Sequence, residues 1–151
     1  MSFQLSDRSL SRLEGVDPRL VRVVKLAIQL TDTDFGVTEG LRSIETQKRY
    51  VELKKSTTMN SKHLDGKAVD LMAYCDGAAS WELNLYDNIA NAMKQAAQEE
   101  GVGIRWGGCW IVDDIRHWDG TMEEAMQHYI KTRVAEGKRP FIDGPHFELV
   151  G

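Results

Sequence analysis

Near its start, the chain has apolar positions that follow the spacing of an amphipathic helix. Leu20, Val24 and Ile28 recur on one face of that helix. Asp17 is a typical N-cap residue, and the proline that follows it suits the first helical turn. The pattern predicts a helix that ends near Leu30, where a run of threonine and aspartate begins.

Three later segments show the same helical spacing. Ser43 is positioned to cap the second helix, and residues 81–100 form a longer amphipathic pattern that Gly101 ends. Residues 121–124 match the capping-box pattern, so we expect the fourth helix to continue to about Gly137.

Strand patterns lie between these helices. Residues 67–74 alternate with a period of two, which is typical of a strand. Shorter strands are expected at 35–41 and at 146–150, and residues 104–110 are expected to form a strand that enters a glycine turn. The polar residues 56–66 predict a loop. Because helices and strands are mixed without regular βαβ alternation, the sequence favours an α+β fold.

The composition is typical of one soluble globular domain that spans residues 1–151. Apolar residues make up 42% of the chain and charged residues 28%. The net charge of -4 at pH 7 argues against nucleic acid as a partner, because phosphate binding depends on a basic surface. Two cysteines are too few for a disulfide framework, so both are expected to be reduced thiols.

The sequence shows no targeting or membrane-spanning segment. The first residues lack the basic start and apolar stretch of a secretory signal peptide. No apolar run approaches the roughly 20 residues that a membrane-spanning helix needs. We therefore expect synthesis in a cytoplasm, without a signal peptide and without membrane insertion.

Two distant segments carry residues suited to one metal site. Gly66 supplies a turn between His63 and Asp70, which would face opposite ways on one straight strand. His146 lies on the closing strand, and Asp143 precedes it as a spare carboxylate. Two imidazoles and one carboxylate leave a tetrahedral zinc with one open position, which is the arrangement of a catalytic site.

Simpler roles stay open for each of these residues alone. Asp70 suits a salt bridge or a turn contact, and His146 suits a packed, hydrogen-bonded strand position. The Asp-Gly-Pro sequence that begins at Asp143 is common in turns. Glu148 is expected either beside the site or in solvent. The two remaining histidines are interpreted as surface residues: His117 and His128.

Four segments in the same order resemble the zinc D-Ala-D-Ala peptidase family, and most of all its phage L-alanyl-D-glutamate endopeptidases (endolysins). Two of them carry the metal pattern: Ser-x-His-x-x-Gly-x-Ala-x-Asp at 61–70 and Asp-x-x-His at 143–146. The others are Gly-Leu-Arg-Ser-Ile-Glu-Thr-Gln at 40–47 and Trp-Gly-Gly-Cys-Trp at 106–110. The resemblance covers residues 36–149. It implies the hedgehog-like fold of this family, a small antiparallel sheet flanked by about four helices.

The resemblance also implies the roles of the metal-site residues. His63, Asp70 and His146 would hold one zinc ion per chain. Asp143 matches the catalytic acidic residue of the family, which would take a proton from the attacking water and deliver it to the leaving amine.

Three polar residues match positions around the substrate. Arg42 would face the scissile carbonyl, although an exposed arginine at a helix start could equally pair with Glu45. Gln47 and Ser61 match polar residues that lie near the substrate in the family.

The tryptophan-glycine segment contains one departure from the family pattern. Trp106 and Trp110 flank the glycines and are candidates for the wall of a substrate groove. Cys109 stands where the family has aspartate, so the function of that carboxylate is absent or replaced. Residues 111–142 make the segment before the second metal motif longer than in the shorter members. This stretch is a candidate lid, wall-binding surface or plain scaffold.

These assignments predict a zinc peptidase that hydrolyses peptidoglycan stem peptides, specifically the bond between L-alanine and D-glutamate. The resemblance implies a phage or prophage endolysin, expected as a monomer that waits in the host cytoplasm and acts on the cell wall after release. Two alternatives stay open. One is a D,D-carboxypeptidase or dipeptidase acting on D-Ala-D-Ala, and the other is a non-catalytic zinc-binding module on the same scaffold.

Overall fold

The computed structural model describes residues 2–55 and 61–150. Within these ranges, five strands form one antiparallel sheet: β1 (Asp34–Glu39), β2 (Ala68–Cys75), β3 (Ala78–Ser80), β4 (Ile104–Trp106) and β5 (His146–Leu149). The long strand β2 is central and pairs with β1 along one edge. Along its other edge, β5 pairs with residues 68–70 of β2 and β3 pairs with residues 73–75. Strand β4 completes the sheet beside β5. The predicted small antiparallel sheet is confirmed.

Helices surround this sheet, and the described residues contain five of them: α1 (Asp7–Arg12), α2 (Pro18–Leu30), α3 (Ile44–Glu52), α4 (Leu83–Glu100) and α5 (Met122–Ala135). The last four correspond to the predicted helices. The first was missed because it is short and its Leu10 is exposed, so it has little apolar periodicity. Of the predicted loop at 56–66, residues 56–60 lie outside the described residues, and Lys62–Asp65 form a 3-10 turn.

The hydrophobic core lies on one face of the sheet. Val69, Leu71 and Ala73 are fully buried on β2 and belong to one apolar cluster with residues of α2 and α4. Asp70, Met72 and Tyr74 alternate with these residues, point to the opposite face and are only partly buried. The period of the strand therefore separates a packed face from a polar face on which a site can form.

Helix α5 packs against α4 through its buried residues. It begins with the predicted capping box, in which Thr121 and Glu124 exchange side-chain to backbone hydrogen bonds. Both cysteines are free, with Cys75 exposed and Cys109 buried. No helix in the described parts of the chain combines the length and apolar character that crossing a membrane requires.

Candidate metal centre

Strand pairing brings two of the predicted ligands together. In the antiparallel ladder between β2 and β5, Asp70 lies directly opposite His146. Directly paired residues project from the same face, so both side chains reach the polar face of the sheet. The Nδ1 atom of His146 lies 3.3 Å from the Oδ1 atom of Asp70.

The third predicted ligand comes from the 3-10 turn before β2. Gly66 ends this turn in the left-handed conformation, with φ of 69°, and a Cβ there would lie 2.4 Å from the carbonyl oxygen of Gly15. His63 is 2% exposed, and its Nδ1–H donates to the carbonyl oxygen of Gly40 at 2.8 Å. This hydrogen bond uses Nδ1 and directs Nε2 toward Asp70.

The three candidate donor atoms lie close enough together to hold one metal ion. His63 Nε2 and His146 Nδ1 each lie 3.3 Å from Asp70 Oδ1, and all three atoms lie within 4.8 Å of one another. Ligands about 2.0–2.1 Å from a tetrahedral ion are separated by about 3.3 Å. His63 Nε2 is buried, and its contact with Asp70 does not meet hydrogen-bond geometry. These three residues can therefore hold a metal ion.

The electrostatics of the centre also favour a cation. Burial alone would raise the pKa of Asp70, but the imidazoles of His146 and His63 outweigh it and lower that pKa well below its usual range. Burial would lower the pKa of His146, yet its hydrogen bonds to Asp70 and Glu148 raise that pKa to about 9. The position between these groups thus stabilises positive charge.

Glu148 lies behind the centre, a position that the sequence left open between the site and solvent. Its Oε1 atom contacts His146 Nε2 at 2.8 Å, and its Oε2 atom lies 3.6 Å from the Nζ atom of Lys62. Glu148 is buried, and its bond to His146 holds its pKa below the usual value despite the opposing effect of burial. The pair has the arrangement of a carboxylate that orients a metal-binding imidazole.

Asp143 lies close to the three candidate ligands but outside their group. Burial and then the nearby Asp70 raise the pKa of its carboxyl, against the opposing effects of His146, His63 and Arg42. A carboxyl with a raised pKa beside a metal centre has the properties of a general base.

The tryptophan-glycine segment positions Asp143. A Cβ on Gly107 would lie 2.3 Å from the carbonyl oxygen of Asp143, and the backbones of the two residues are joined by a hydrogen bond of 2.9 Å. The indole Nε1–H of Trp106 donates to the carbonyl oxygen of Gly144 at 2.7 Å. Trp106 is fully buried, and its ring holds the loop that carries Asp143. Its contact with substrate in a groove wall stays a prediction.

Arg42 lies in a polar network at the edge of the centre. Its guanidinium pairs with Glu39 rather than with Glu45, and its Nη1 atom donates to Gln47 Oε1 at 2.7 Å and to Ser61 Oγ at 3.4 Å. Three predicted substrate residues are therefore brought together. Gln47 is fully buried and supports Arg42, and its direct contact with substrate stays a prediction.

Sequence reasoning missed Glu39. Its Oε2 atom accepts a hydrogen bond from the hydroxyl of Tyr50 at 3.1 Å, and its Oε1 atom lies 4.0 Å from His63 Nδ1. Strand register places Glu39 opposite Asp70. An acidic residue at the end of a mostly apolar strand was the available signal.

The other residues that the sequence singled out divide between the centre and the surface. The ring of Trp110 lies 5.4 Å from that of His146, so this tryptophan borders the site. Cys109 is buried in the apolar cluster, where burial raises the pKa of its thiol to about 12, so it is a neutral core residue. His117 and His128 are exposed, as predicted.

Comparisons with known proteins agree with this geometry. The family profile described as phage L-alanyl-D-glutamate peptidase matches residues 1–150. The L-alanyl-D-glutamate peptidase of Escherichia phage T5 is 29% identical over 154 residues, which is 99% of this chain and 100% of the phage protein. The crystal structure of the Serratia marcescens L-Ala D-Glu endopeptidase ChiX aligns with 98% of this chain and 90% of its own, at 36% identity and a TM-score of 0.72. The chain belongs to the phage L-alanyl-D-glutamate peptidase family, as its four motifs predict.

Proposed function

We propose that this protein is a zinc-dependent peptidase that hydrolyses the bond between L-alanine and D-glutamate in peptidoglycan stem peptides. The observation that carries the proposal is the convergence of His63, Asp70 and His146 into one group that can hold a metal ion, with the raised-pKa carboxyl of Asp143 close enough to interact with all three. The choice of the L-alanyl–D-glutamate bond rests on family membership, since the similar phage and Serratia proteins are named for that bond.

His63 through Nε2, His146 through Nδ1 and one oxygen of Asp70 would hold the metal. Gly40 and Glu148 contact the other nitrogen of each ring, so that each imidazole turns the nitrogen nearer Asp70 to the centre. A zinc ion with these ligands supplies Lewis acidity and makes water a nucleophile near neutral pH.

Asp143 acts as the general base and then as the general acid. Its carboxylate takes a proton from the water that attacks the L-alanyl carbonyl carbon. The same proton passes to the D-glutamate nitrogen as the carbon–nitrogen bond breaks. The raised pKa of Asp143 suits both steps, because it brings the carboxyl closer to the working pH.

Arg42 stabilises the negative charge that develops on the carbonyl oxygen. Glu39, Gln47 and Ser61 hold its guanidinium, and Tyr50 lies under it with 4.7 Å from the guanidinium carbon to the ring centroid. A cation fixed in this way needs little reorganisation during the reaction. Its charge also compensates the acidic character of the substrate.

The two alternative functions receive less support. A D,D-carboxypeptidase or dipeptidase is not favoured by the family match or by the named relatives. A non-catalytic zinc module needs no general base. In this chain, however, Trp106 and Gly107 hold the loop that carries the Asp143 carboxyl close to the candidate ligands. Action on the cell wall, after synthesis in a phage-infected host, follows from the same proposal.

The test is digestion of purified peptidoglycan with the zinc-loaded protein, followed by mass spectrometry of the new termini. We expect new amino-terminal D-glutamate and, on the sugar side, L-alanine with a free carboxyl. Release of free D-alanine instead would indicate a D,D-carboxypeptidase. Protein treated with a chelator is the control for metal dependence.

A further inference from the structure

An aromatic ladder leads from the metal centre to solvent. It consists of His146, Trp110 and Phe141. The rings of His146 and Trp110 are 5.4 Å apart between centroids, and those of Trp110 and Phe141 are 6.4 Å apart at an interplanar angle of 19°. Phe141 is 64% exposed at the outer end, although phenylalanine is an apolar side chain.

The backbone at Phe141 is fixed by a buried side chain of α5. The backbone N–H of Phe141 donates to the hydroxyl of Tyr129 at 3.1 Å, and that hydroxyl donates to the carbonyl oxygen of Phe141 at 3.1 Å. Tyr129 is 3% exposed. The exposed ring is therefore presented in a defined position, and the extra segment that contains α5 is what holds it there.

An apolar ring that is exposed, fixed and continuous with a site is typical of a ligand-binding surface. Single exposed apolar residues are otherwise common and need no explanation. Here the aromatic ladder begins at a candidate metal ligand, so the Phe141 ring itself lies within two ring spacings of that ligand.

The substrate has a matching group at that position. In peptidoglycan, the amine of L-alanine is joined through a short lactyl linker to an amino sugar. The carbonyl attacked in the reaction belongs to the same L-alanine. A pyranose ring therefore lies one short linker from the bond that is cut, and the carbon–hydrogen face of such a ring packs well on an aromatic ring.

We infer that Phe141 is a binding subsite for the amino-sugar ring that precedes the stem peptide. This inference rests on the proposed function and adds the glycan side of the substrate to it. The protein then binds both the amino sugar and the peptide attached to it, rather than the peptide alone. Trp110 supports the Phe141 ring from behind and borders the metal centre.

The experiment compares two substrates that differ only in the sugar. One is a muropeptide with its amino sugar, and the other is the same stem peptide with an acetylated amino terminus. Initial rates with the zinc-loaded parent, Phe141→Ala and Phe141→Tyr give kcat and KM for each. Phe3→Ala is a matched control, because Phe3 is also a partly exposed phenylalanine but lies at the other end of the chain.

For Phe141→Ala, we expect KM for the muropeptide to rise about tenfold with kcat unchanged, because one aromatic contact with the bound sugar is lost. KM for the acetylated peptide should not change. Phe141→Tyr, which keeps the ring, should behave like the parent, as should Phe3→Ala.

Equal effects of Phe141→Ala on both substrates, or no effect on either, would overturn the sugar subsite and leave the proposed function intact. If the parent produced no new amino-terminal D-glutamate from either substrate, the proposed function would fail and this inference with it. The two failures are thus distinguishable in one set of assays.

Discussion

At the scale of single residues, Asp143 and the metal ligands are chemically similar groups with different environments. Asp70 faces two imidazoles and has a lowered pKa, whereas burial and the Asp70 charge raise the pKa of Asp143. One carboxyl is therefore suited to hold a cation and the other to exchange a proton. The different roles proposed for Asp70 and Asp143 therefore rest on their positions rather than on residue type.

Replacing Asp143 should separate metal binding from catalysis. Asp143→Asn keeps the size of the side chain but cannot accept the proton, so kcat should fall by about 10²–10⁴-fold. Zinc content measured by elemental analysis should stay at one ion per chain. Asp119→Asn, at an exposed position of the same charge, is the control. Parent-like lytic activity in Asp143→Asn would remove Asp143 from the role of base.

Glu148 gives a second prediction at this scale. Glu148→Gln weakens the hydrogen bond that orients His146, so zinc affinity should fall by about 10–100-fold. Competition with a chromophoric chelator measures this change without reference to turnover. Glu99→Gln, on the exposed face of α4, should leave the affinity unchanged. An unchanged affinity in Glu148→Gln would mean that its contact with His146 does not support metal binding.

At the scale of elements, the turn after β4 determines the position of the Asp143 loop. Gly107→Ala places a methyl group 2.3 Å from the carbonyl oxygen of Asp143, so the loop must move. A displacement of about 1 Å at a catalytic group typically costs about 10²-fold in rate, and we expect a loss of that order in kcat. The zinc content should be unchanged.

Gly77→Ala is the matched control for that substitution. Gly77 has a φ of 80°, and a Cβ there would meet no atom within 4 Å. Alanine at this position should lower the thermal midpoint by a few degrees through backbone strain, with kcat unchanged. If Gly107→Ala behaved in the same way as Gly77→Ala, close packing at Gly107 would have no part in catalysis.

The interface of α4 and α5 provides a pH-dependent prediction. Asp87 is buried on α4, and its Oδ1 atom has no hydrogen-bond partner among the described residues. Burial, followed by the charge of Glu123, raises the pKa of Asp87 to about 6. As pH rises from about 4 to about 6, the unfolded chain loses this proton before the folded chain does. The contribution of Asp87 to stability therefore falls over that range.

Asp87→Asn should remove this pH dependence. At pH 7 the variant should gain about 1–3 kcal/mol in the free energy of unfolding, and below about pH 4 it should gain nothing. Urea unfolding at both pH values measures the difference. If Asp87→Asn raised the free energy of unfolding equally at pH 7 and below pH 4, ionisation of Asp87 would not be the cause of the increase.

At the scale of the whole molecule, the sequence predicted those features that depend on local pattern. The period of β2 separated Leu71 from Asp70, and the left-handed turn at Gly66 allowed His63 to reach the polar face. The four motifs then identified the family. These features are encoded within short stretches, where the spacing of residues determines which side they face.

Features that depend on distant contacts could not be predicted from the sequence. The sequence around Trp106, an aromatic residue beside glycines, does not reveal its burial or its hydrogen bond to Gly144. Strand register places Glu39 opposite Asp70, which the sequence does not show, and Glu39 also pairs with Arg42 three residues later. Likewise, the sequence does not show that Tyr129 holds the backbone of Phe141, although both residues lie in the extra segment 111–142.

The most direct test of the central claim is anomalous diffraction at the zinc absorption edge from crystals of the zinc-loaded protein. We expect a single peak about 2.0–2.2 Å from His63 Nε2, His146 Nδ1 and a carboxylate oxygen of Asp70, with no fourth ligand from the chain. A peak elsewhere, or imidazoles that turn away from Asp70, would contradict the assignment of a catalytic zinc site.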